Sequence, residues 1–379
     1  MAEILAADEF RFDEDLVYLN HAGVAPWPRR AAEAVAAFGR ENAARGAAGY
    51  GQWLKVEADL RRRLAALVNA RSIGEIALLK NTSEGLSFVA SGLDWSEGDN
   101  IVTSDEEFPS NRIVWEALAP RGVTLRRIPL RSASTPSRAL IGACDARTRL
   151  IAVSSVQYGT GLRVDLQPLG QQCRARGILL CVDAIQTLGA LALDVQECEP
   201  DFLVADGHKW MLGPEGVALF YVRANRCGSL RPSEYGWHMV ARAGDYDRLE
   251  WEPAADARRF ECGSPNLLGA HALNASLSLL EEIGIERIER QVLDRTAWLH
   301  GRLGNDPRFR IVSPADPALA SGIFTFQVVG HAPDEIVRML RSRGVVAAPR
   351  AGGVRFSPHF YTPWHKLERA LDALRTAAA

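Results

Sequence analysis

The sequence predicts an α/β protein: a large domain built on a mostly parallel seven-stranded sheet, and a smaller C-terminal α/β domain. Two observations carry this. Between about residues 75 and 223, short β-rich apolar runs alternate with segments of helical spacing, as expected where crossover helices cover both faces of a parallel sheet. After residue 223 the alternation stops, and a loop-rich stretch with Trp237 and Trp251 leads into long amphipathic helices. A chain of 379 residues, 47% of them apolar, is large enough for one broad core and a second, smaller one.

The first 70 residues read as mainly helical after an irregular start, with "YLNHAGVAPWP" a loop rich in turn residues. The strands follow as "EIALLK", "NIVTS", "TLRRIPL", "RLIAVSS", "ILLCVD", "DFLVA" and "VALFYV". Between them "EGLSFVASGL", "SNRIVWEALA" and "LQPLGQQCRARG" have helical spacing. Runs such as "RLIAVSS" do not alternate polar with apolar residues, so they are expected to be buried on both faces. "VALFYV" follows "LGPEG", a link too short for a crossover helix, and should return antiparallel. Beyond it, "NLLGAHALNASLSLLEEIG", "ERIERQVLDRTAWLHGRL", "APDEIVRMLRSRG" and "WHKLERALDALRTA" read as helices, and "GIFTFQVV" and "GVRFSPHFY" as strands. The expected organisation is an N-terminal segment, 1–20, lying on the small domain, a large domain over 21–255 and a small domain over 256–379.

Composition removes several classes of function. Acidic and basic residues nearly cancel, leaving a formal charge of -2 and no basic block, which argues against nucleic acid or an anionic membrane as partner and for a small molecule. The acidic start "MAEILAADEFRFDEDL" lacks the pattern of a signal peptide, and no apolar run is long enough to span a bilayer; a soluble, cytoplasmic protein is expected. The six cysteines form no CxxC pair, and the eight histidines show no metal-ligand spacing, so no metal is expected. There is no GxSxG elbow, phosphate-binding Walker loop or strand-linked GxGxxG.

In open α/β sheets, ligands sit at the carboxyl ends of the parallel strands, so the residues just after each strand are the informative ones. "NTSEG" follows the first strand: Asn81 caps a helix, Glu84 stands three residues on, and the hydroxyls of Thr82 and Ser83 join free N–H groups at an anion site suited to phosphate. "DEEFPSN" follows the second, placing Phe108 either in the core or against a flat ring. "VDAIQ" puts Asp183 at the end of a buried strand and Gln186 three residues on; such a carboxylate needs a cationic or hydrogen-bonded partner. "DGHKW" supplies Lys209 as an amine nucleophile beside His208. Phosphate anchor, stacking aromatic, carboxylate for a protonated ring nitrogen and Schiff-base lysine together describe a pyridoxal 5'-phosphate site.

With these motifs the sequence resembles the class V aminotransferase and cysteine desulfurase family of fold-type I pyridoxal-phosphate-dependent enzymes. The resemblance runs from "YLNHAG" through "NTSEG", "EEFPSN", "VDAIQ", "DGHKW" and "FECGSPN" to "VRFSPHFYT". It implies that Lys209 carries the cofactor as a Schiff base, that Asp183 holds the pyridinium proton and that Gln186 bonds the ring hydroxyl. It further implies phosphate contacts from Thr82 and His208, joined by Ser264 from the second subunit of a homodimer whose active site lies at the interface. Ser155 or Gln157, in "VSSVQYGTG", resembles the polar contact near the ring hydroxyl, and Arg355 the arginine that grips the carboxylate of an amino-acid substrate. Arg350 and His21 are further candidates for the substrate pocket.

The family's desulfurases carry a reactive cysteine on a loop shortly before that arginine. Here the stretch is "VVAAPRAGGVRF", short and without a cysteine. The expectation is therefore a desulfurase-like lyase or an aminotransferase without a persulfide cysteine. The alternatives are an amino-acid epimerase of the isopenicillin N epimerase type and, in another class, a non-catalytic cofactor-binding protein.

Overall fold

All seven apolar runs of the first 223 residues become strands of one sheet in the computed structural model, which describes residues 8–377. In chain order the strands are β1 (Val17–Tyr18), β2 (Ile76–Leu79), β3 (Asn100–Ser104), β4 (Thr124–Ile128), β5 (Thr148–Ser154), β6 (Leu179–Asp183), β7 (Phe202–Asp206), β8 (Ala218–Val222), β9 (Phe309–Ile311), β10 (Phe324–Val328), β11 (Val345–Val346), β12 (Ala348–Arg350) and β13 (Gly353–Phe356). The seven-stranded sheet has the order β2-β8-β7-β6-β5-β3-β4. Neighbours from β7 to β4 pair in parallel, while β8 runs antiparallel to both β7 and β2. The reversal of β8 follows from its short link, closed where the Gly207 N–H donates to the Val217 carbonyl.

Every residue of β3, β6, β7 and β8 is buried. Successive side chains alternate between two apolar clusters: Leu180, Val182, Leu203 and Ala205 on one face, Leu179, Cys181, Phe202 and Val204 on the other. Because both faces are covered, neither shows polar alternation in the sequence. The crossover helices Thr82–Gly92, Ser110–Glu116 and Leu166–Arg176 lie where the spacing puts them.

A second, antiparallel sheet has the order β12-β13-β10-β9, with the parallel pair β1-β11 beside it. Its core gathers Val17, Leu19, Leu299, Leu303, Phe324, Phe326, Leu340, Phe356 and Leu371. The helix Leu267–Ile283 instead packs on the helices Arg29–Arg45 and Tyr50–Leu67, and its Leu273, Leu277 and Leu280 join the core of the large sheet. The passage between cores falls inside the helix Ile285–Leu303, whose Ile288 and Val292 face the first core and whose Leu299 and Leu303 face the second. Of the N-terminal segment, β1 pairs with β11; residues 1–7, like 378–379, lie outside the described residues.

Two details differ from the sequence expectation. "GVRFSPHFY" is a strand only over Gly353–Phe356, because Pro358 has no N–H to continue a ladder, and Ser357 makes a single bridge to Asn20. "TLRRIPL" likewise stops before its proline.

One close approach fixes the loops that carry the chemistry. Gly189 has φ +96°, and a Cβ there would lie 2.2 Å from the Trp210 carbonyl oxygen. The loop after β6 and the turn after β7 therefore meet backbone to backbone, which holds the Lys209 turn beside the Asp183 strand end.

Candidate active site

Asp183 is the last residue of β6 and 2% exposed. Its Oδ1 accepts from the Ile185 N–H at 3.0 Å, and Oδ2 accepts no hydrogen bond among the described residues. Burial pushes its carboxyl up to about 6, against the Ile185 N–H and the Lys209 charge, which hold it down. Lys209, on the turn after β7, is also buried, and its Nζ has no hydrogen bond or ion pair among the described residues. The Nζ stands 5.5 Å from the centre of the Phe108 ring. Burial pulls this amine down to about 8; Asp183 and Asp206 raise it, and Arg355 and Arg350 lower it. The result is an unpaired amine of low basicity within electrostatic reach of a buried carboxylate.

Arg355 lies in β13 and is 2% exposed. Its Nη1 donates to the Tyr158 carbonyl at 2.8 Å and its Nη2 to Asn20 Oδ1 at 3.2 Å, while Nε is buried without a partner. No carboxylate pairs with it among the described residues. Burial, then the charge of Arg350, push it down to about 9, with Tyr158 opposing. A guanidinium taken out of water without a counter-ion costs several kcal/mol, on the order of the desolvation penalty for one ion, and calls for an anion. Arg350 is exposed at the end of β12 and, among the described residues, donates only to the neighbouring Pro349 carbonyl.

At the start of the helix Thr82–Gly92, Asn81 Oδ1 accepts from the Glu84 N–H at 2.9 Å. The reciprocal half of the cap is shifted by one residue: Glu84 accepts from the Lys80 N–H, not from Asn81. Thr82 is buried, and its Oγ1 accepts from the Asp206 N–H at 3.1 Å, tying the helix start to the end of β7 and leaving the hydroxyl proton free. Ser83 is exposed and donates to Ser110 Oγ at 2.8 Å. His208 Nδ1 lies 3.1 Å from Asp206 Oδ1, but the approach is not that of a hydrogen bond, and both atoms stay unpartnered.

Phe108 is 40% exposed and meets Tyr158 edge-on at 5.1 Å, so it is not a core residue. Ser155 is buried between the Asp183 carbonyl at 3.2 Å and Thr187 Oγ1 at 2.6 Å. Gln157 is fully buried; its Nε2 donates to Glu107 Oε1 at 2.9 Å, and its Oε1 has no partner. Glu107, inside the quoted "EEFPSN", is the buried group that sequence reasoning missed: an acidic residue in an acidic loop carries no signal of burial.

The fold holds both Gln186 and His21, His21 through both ring nitrogens and Gln186 with a second amide N–H left over. The Gln186 amide donates to the Ala22 carbonyl at 3.1 Å and accepts from Trp210 Nε1 at 2.9 Å. His21 is fully buried, with Nδ1 at 2.8 Å from the Ser357 carbonyl and Nε2 at 2.6 Å from the Tyr361 hydroxyl; burial lowers it to about 4 and keeps it neutral. His359, also fully buried, is held between the Trp210 carbonyl and the Phe360 N–H. Ser264 is exposed on the loop before Leu267–Ile283, in a cavity shared with Lys80, Glu84 and Cys262, and within this chain it joins none of the contacts around Lys209.

A family profile described as aminotransferase class-V matches residues 17–362. A probable cysteine desulfurase of Methanothermobacter thermautotrophicus is 30% identical, over 96% of this chain and 95% of its own length. An uncharacterized aminotransferase of Bacillus subtilis, YcbU, is 29% identical over 83% of this chain and 82% of its own. Among solved structures, the cystine C–S lyase C-DES in complex with its reaction product cysteine persulfide superposes with a TM-score of 0.88 at 25% identity, covering 96% of this chain and 98% of the other. The unpaired groups suit the cofactor of these enzymes: a free carboxylate oxygen for a ring nitrogen, a free amine for an aldehyde and a hydroxyl at a helix start for phosphate. The chain belongs to the class V aminotransferase family and is a pyridoxal-phosphate-dependent enzyme.

Proposed function

We propose that the protein is a desulfurase-like lyase, which cleaves a carbon–sulfur bond of an amino acid without forming a persulfide on one of its own cysteines. The observation that supports it best is the buried Arg355, without a carboxylate partner and close enough to Lys209 to lower its basicity. That pair offers one carboxylate clamp beside one nucleophilic amine, as an α-amino acid requires. A guanidinium fork takes a carboxylate through two parallel bonds, and so orients the substrate.

No thiol is set up as a nucleophile. All six cysteines are held above the ordinary thiol range, chiefly by burial. Cys262 donates to Glu234 at 3.2 Å, and that acid raises it further. The stretch before Arg355 has no room for a reactive loop: β12 and β13 form a hairpin whose two turn residues, Ala351 at φ 50° and Gly352 at φ 72°, have the positive φ of a tight type I′ turn. Sulfur would therefore leave on the small-molecule product.

Lys209 is the residue to bind the cofactor covalently, with Thr82, Ser83 and His208 around its phosphate and Phe108 against its ring. Pyridoxal phosphate supplies an electron sink that takes up the charge left on the substrate α-carbon. Asp183 keeps a proton on the ring nitrogen through its free Oδ2. Lys209, once free, takes the α-proton, a task suited to an amine brought down to about 8. Ser155 and Gln157 lie toward the ring oxygen. His21, with both ring nitrogens used by the fold, acts as a positioning residue for the "NHAG" loop, while Gln186 keeps a second amide N–H for the ring oxygen.

A second copy of the chain completes the site in this reading. Tyr235, Tyr246, Leu249 and Trp251 are 64%, 74%, 89% and 60% exposed on the segment between β8 and the helix Leu267–Ile283, an apolar patch that calls for cover. Ser264 lies exposed further along the same segment, free to reach a neighbour's phosphate site.

The test is a screen of amino acids with the holo-protein that follows sulfide and pyruvate release, keto-acid-dependent spectral change and α-deuterium exchange together. Release of pyruvate together with sulfide from cysteine, or with cysteine persulfide from cystine, supports the lyase. Amino transfer to a keto acid, or α-exchange alone, would replace it with an aminotransferase or an epimerase.

A further inference from the structure

Glu107 is buried at 6% exposure, and no cation pairs with it among the described residues. Its carboxylate is instead surrounded by neutral donors. Oε1 accepts from the Ser154 N–H at 2.8 Å and the Gln157 amide at 2.9 Å; Oε2 accepts from the Asn111 amide at 2.9 Å and from the Ser154 hydroxyl.

Two of these donors are fixed. The Ser154 N–H belongs to the backbone, and the Asn111 amide is oriented by Trp115, whose Nε1–H donates to Asn111 Oδ1 at 2.9 Å. The other two turn. The Ser154 hydroxyl rotates, and the Gln157 amide is held beyond Glu107 only by a long 3.4 Å bond from its Nε2 to the Ser154 carbonyl, while its Oε1 is buried without a partner. That unpaired carbonyl is the anomaly: a buried acceptor left unmatched is unfavourable unless something else supplies a donor. Gln157 follows β5, whose Ser154 is in register with Asp183, so the amide sits at the strand ends that carry the cofactor chemistry.

We propose that Glu107 is a positioning residue that sets, through Gln157, whether the site offers the cofactor's ring oxygen a hydrogen-bond acceptor or a donor. Ionised Glu107 holds the Gln157 NH2 group and leaves the amide carbonyl turned away from it, an acceptor that favours a protonated ring oxygen. Protonated Glu107 donates from Oε1 to the Gln157 carbonyl, which requires the amide to turn over and presents the NH2 group, a donor that favours an ionised ring oxygen. The proton is exchanged with bulk water, and only O–H and hydrogen bonds change. The inference rests on the assignment of Gln157 to the ring oxygen.

Both states are reached near neutrality. Burial pushes Glu107 up to about 7; the Gln157 and Ser154 donors oppose this, and the charge of Asp183 adds to it. Asp183 and Cys181 on β6 are the titratable groups facing it, and the Cys181 thiol, held well above its ordinary range, stays neutral throughout. On its own loop, Glu106 pairs with Arg131.

The experiment is a pH titration of the absorption of the bound cofactor in the wild-type holo-protein and in Glu107→Gln and Gln157→Leu, with borohydride fixation on Lys209 as the measure of occupancy. The expected result is a spectral transition with a midpoint near pH 7 in the wild type, lost in both variants although Lys209 remains loaded. Loss in Gln157→Leu is the sharper outcome, because Glu107 is still present to titrate. A wild-type spectrum without the transition, or a transition that persists in either variant and so belongs to Asp183 or to the lysine link, overturns the proposal while leaving the cofactor assignment standing. Absence of any borohydride-fixed cofactor on Lys209 overturns both.

Discussion

The chemistry of single residues here is decided by burial without partners. Lys209, Arg355 and Asp183 are each displaced from their ordinary ionisation because they are buried with part of their hydrogen-bonding capacity unused. For Lys209 the sign is direct. Its amine reacts only when neutral, and its value is lowered from 10.5 to about 8, so cofactor attachment to the cofactor-free protein should rise as pH climbs through about 8. Stopped-flow absorption against pH checks this; a midpoint near the ordinary lysine value would contradict it. Asp183→Asn should keep the fold and much of the cofactor but lose most turnover, because a neutral amide holds the ring proton less well; assay beside cofactor content separates the two effects. Arg355→Gln should raise KM and lower kcat/KM by about a hundredfold or more, the scale expected on truncating one side of a buried charge pair. Most of these residues were legible from type and position after a strand. His21 shows the limit of such reading: the residue type suits a ligand, but both ring nitrogens bond within the fold, to Ser357 and Tyr361, contacts that no local pattern encodes.

At the level of elements, the large sheet was legible because its strands are continuous apolar runs and its helices have their own period. The short strands were not: β1 and β11 pair with each other across more than three hundred residues, and β9 and β12, of three residues each, are too short to carry a pattern of their own. The division between cores was equally hidden, because the helix Leu267–Ile283 is amphipathic whichever core it serves. Its Leu273 is fully buried, and Leu273→Ala should cost about 2–5 kcal/mol of stability, measurable by denaturant unfolding. Gly189→Ala is a more pointed test of the elements that hold the site. The added methyl group meets the Trp210 backbone, so the variant should lose both stability and borohydride-fixable cofactor at Lys209. Unchanged loading would show that the Lys209 turn does not depend on that contact.

For the whole molecule, the proposed chemistry requires two chains and no reactive thiol. The exposed Tyr246, Leu249 and Trp251 should be covered in solution, so sedimentation should give a dimer, and Leu249→Asp with Trp251→Asp should weaken both association and cofactor retention. A monomer with full activity would remove Ser264 from the site. The claim that separates this protein from a persulfide-forming desulfurase is tested most directly by incubating the holo-protein with cysteine under exclusion of oxygen, measuring released pyruvate, and mapping all six cysteines by mass spectrometry. Turnover is expected with every cysteine unmodified, Cys262 included; a persulfide on any cysteine that forms and decays with turnover would contradict it.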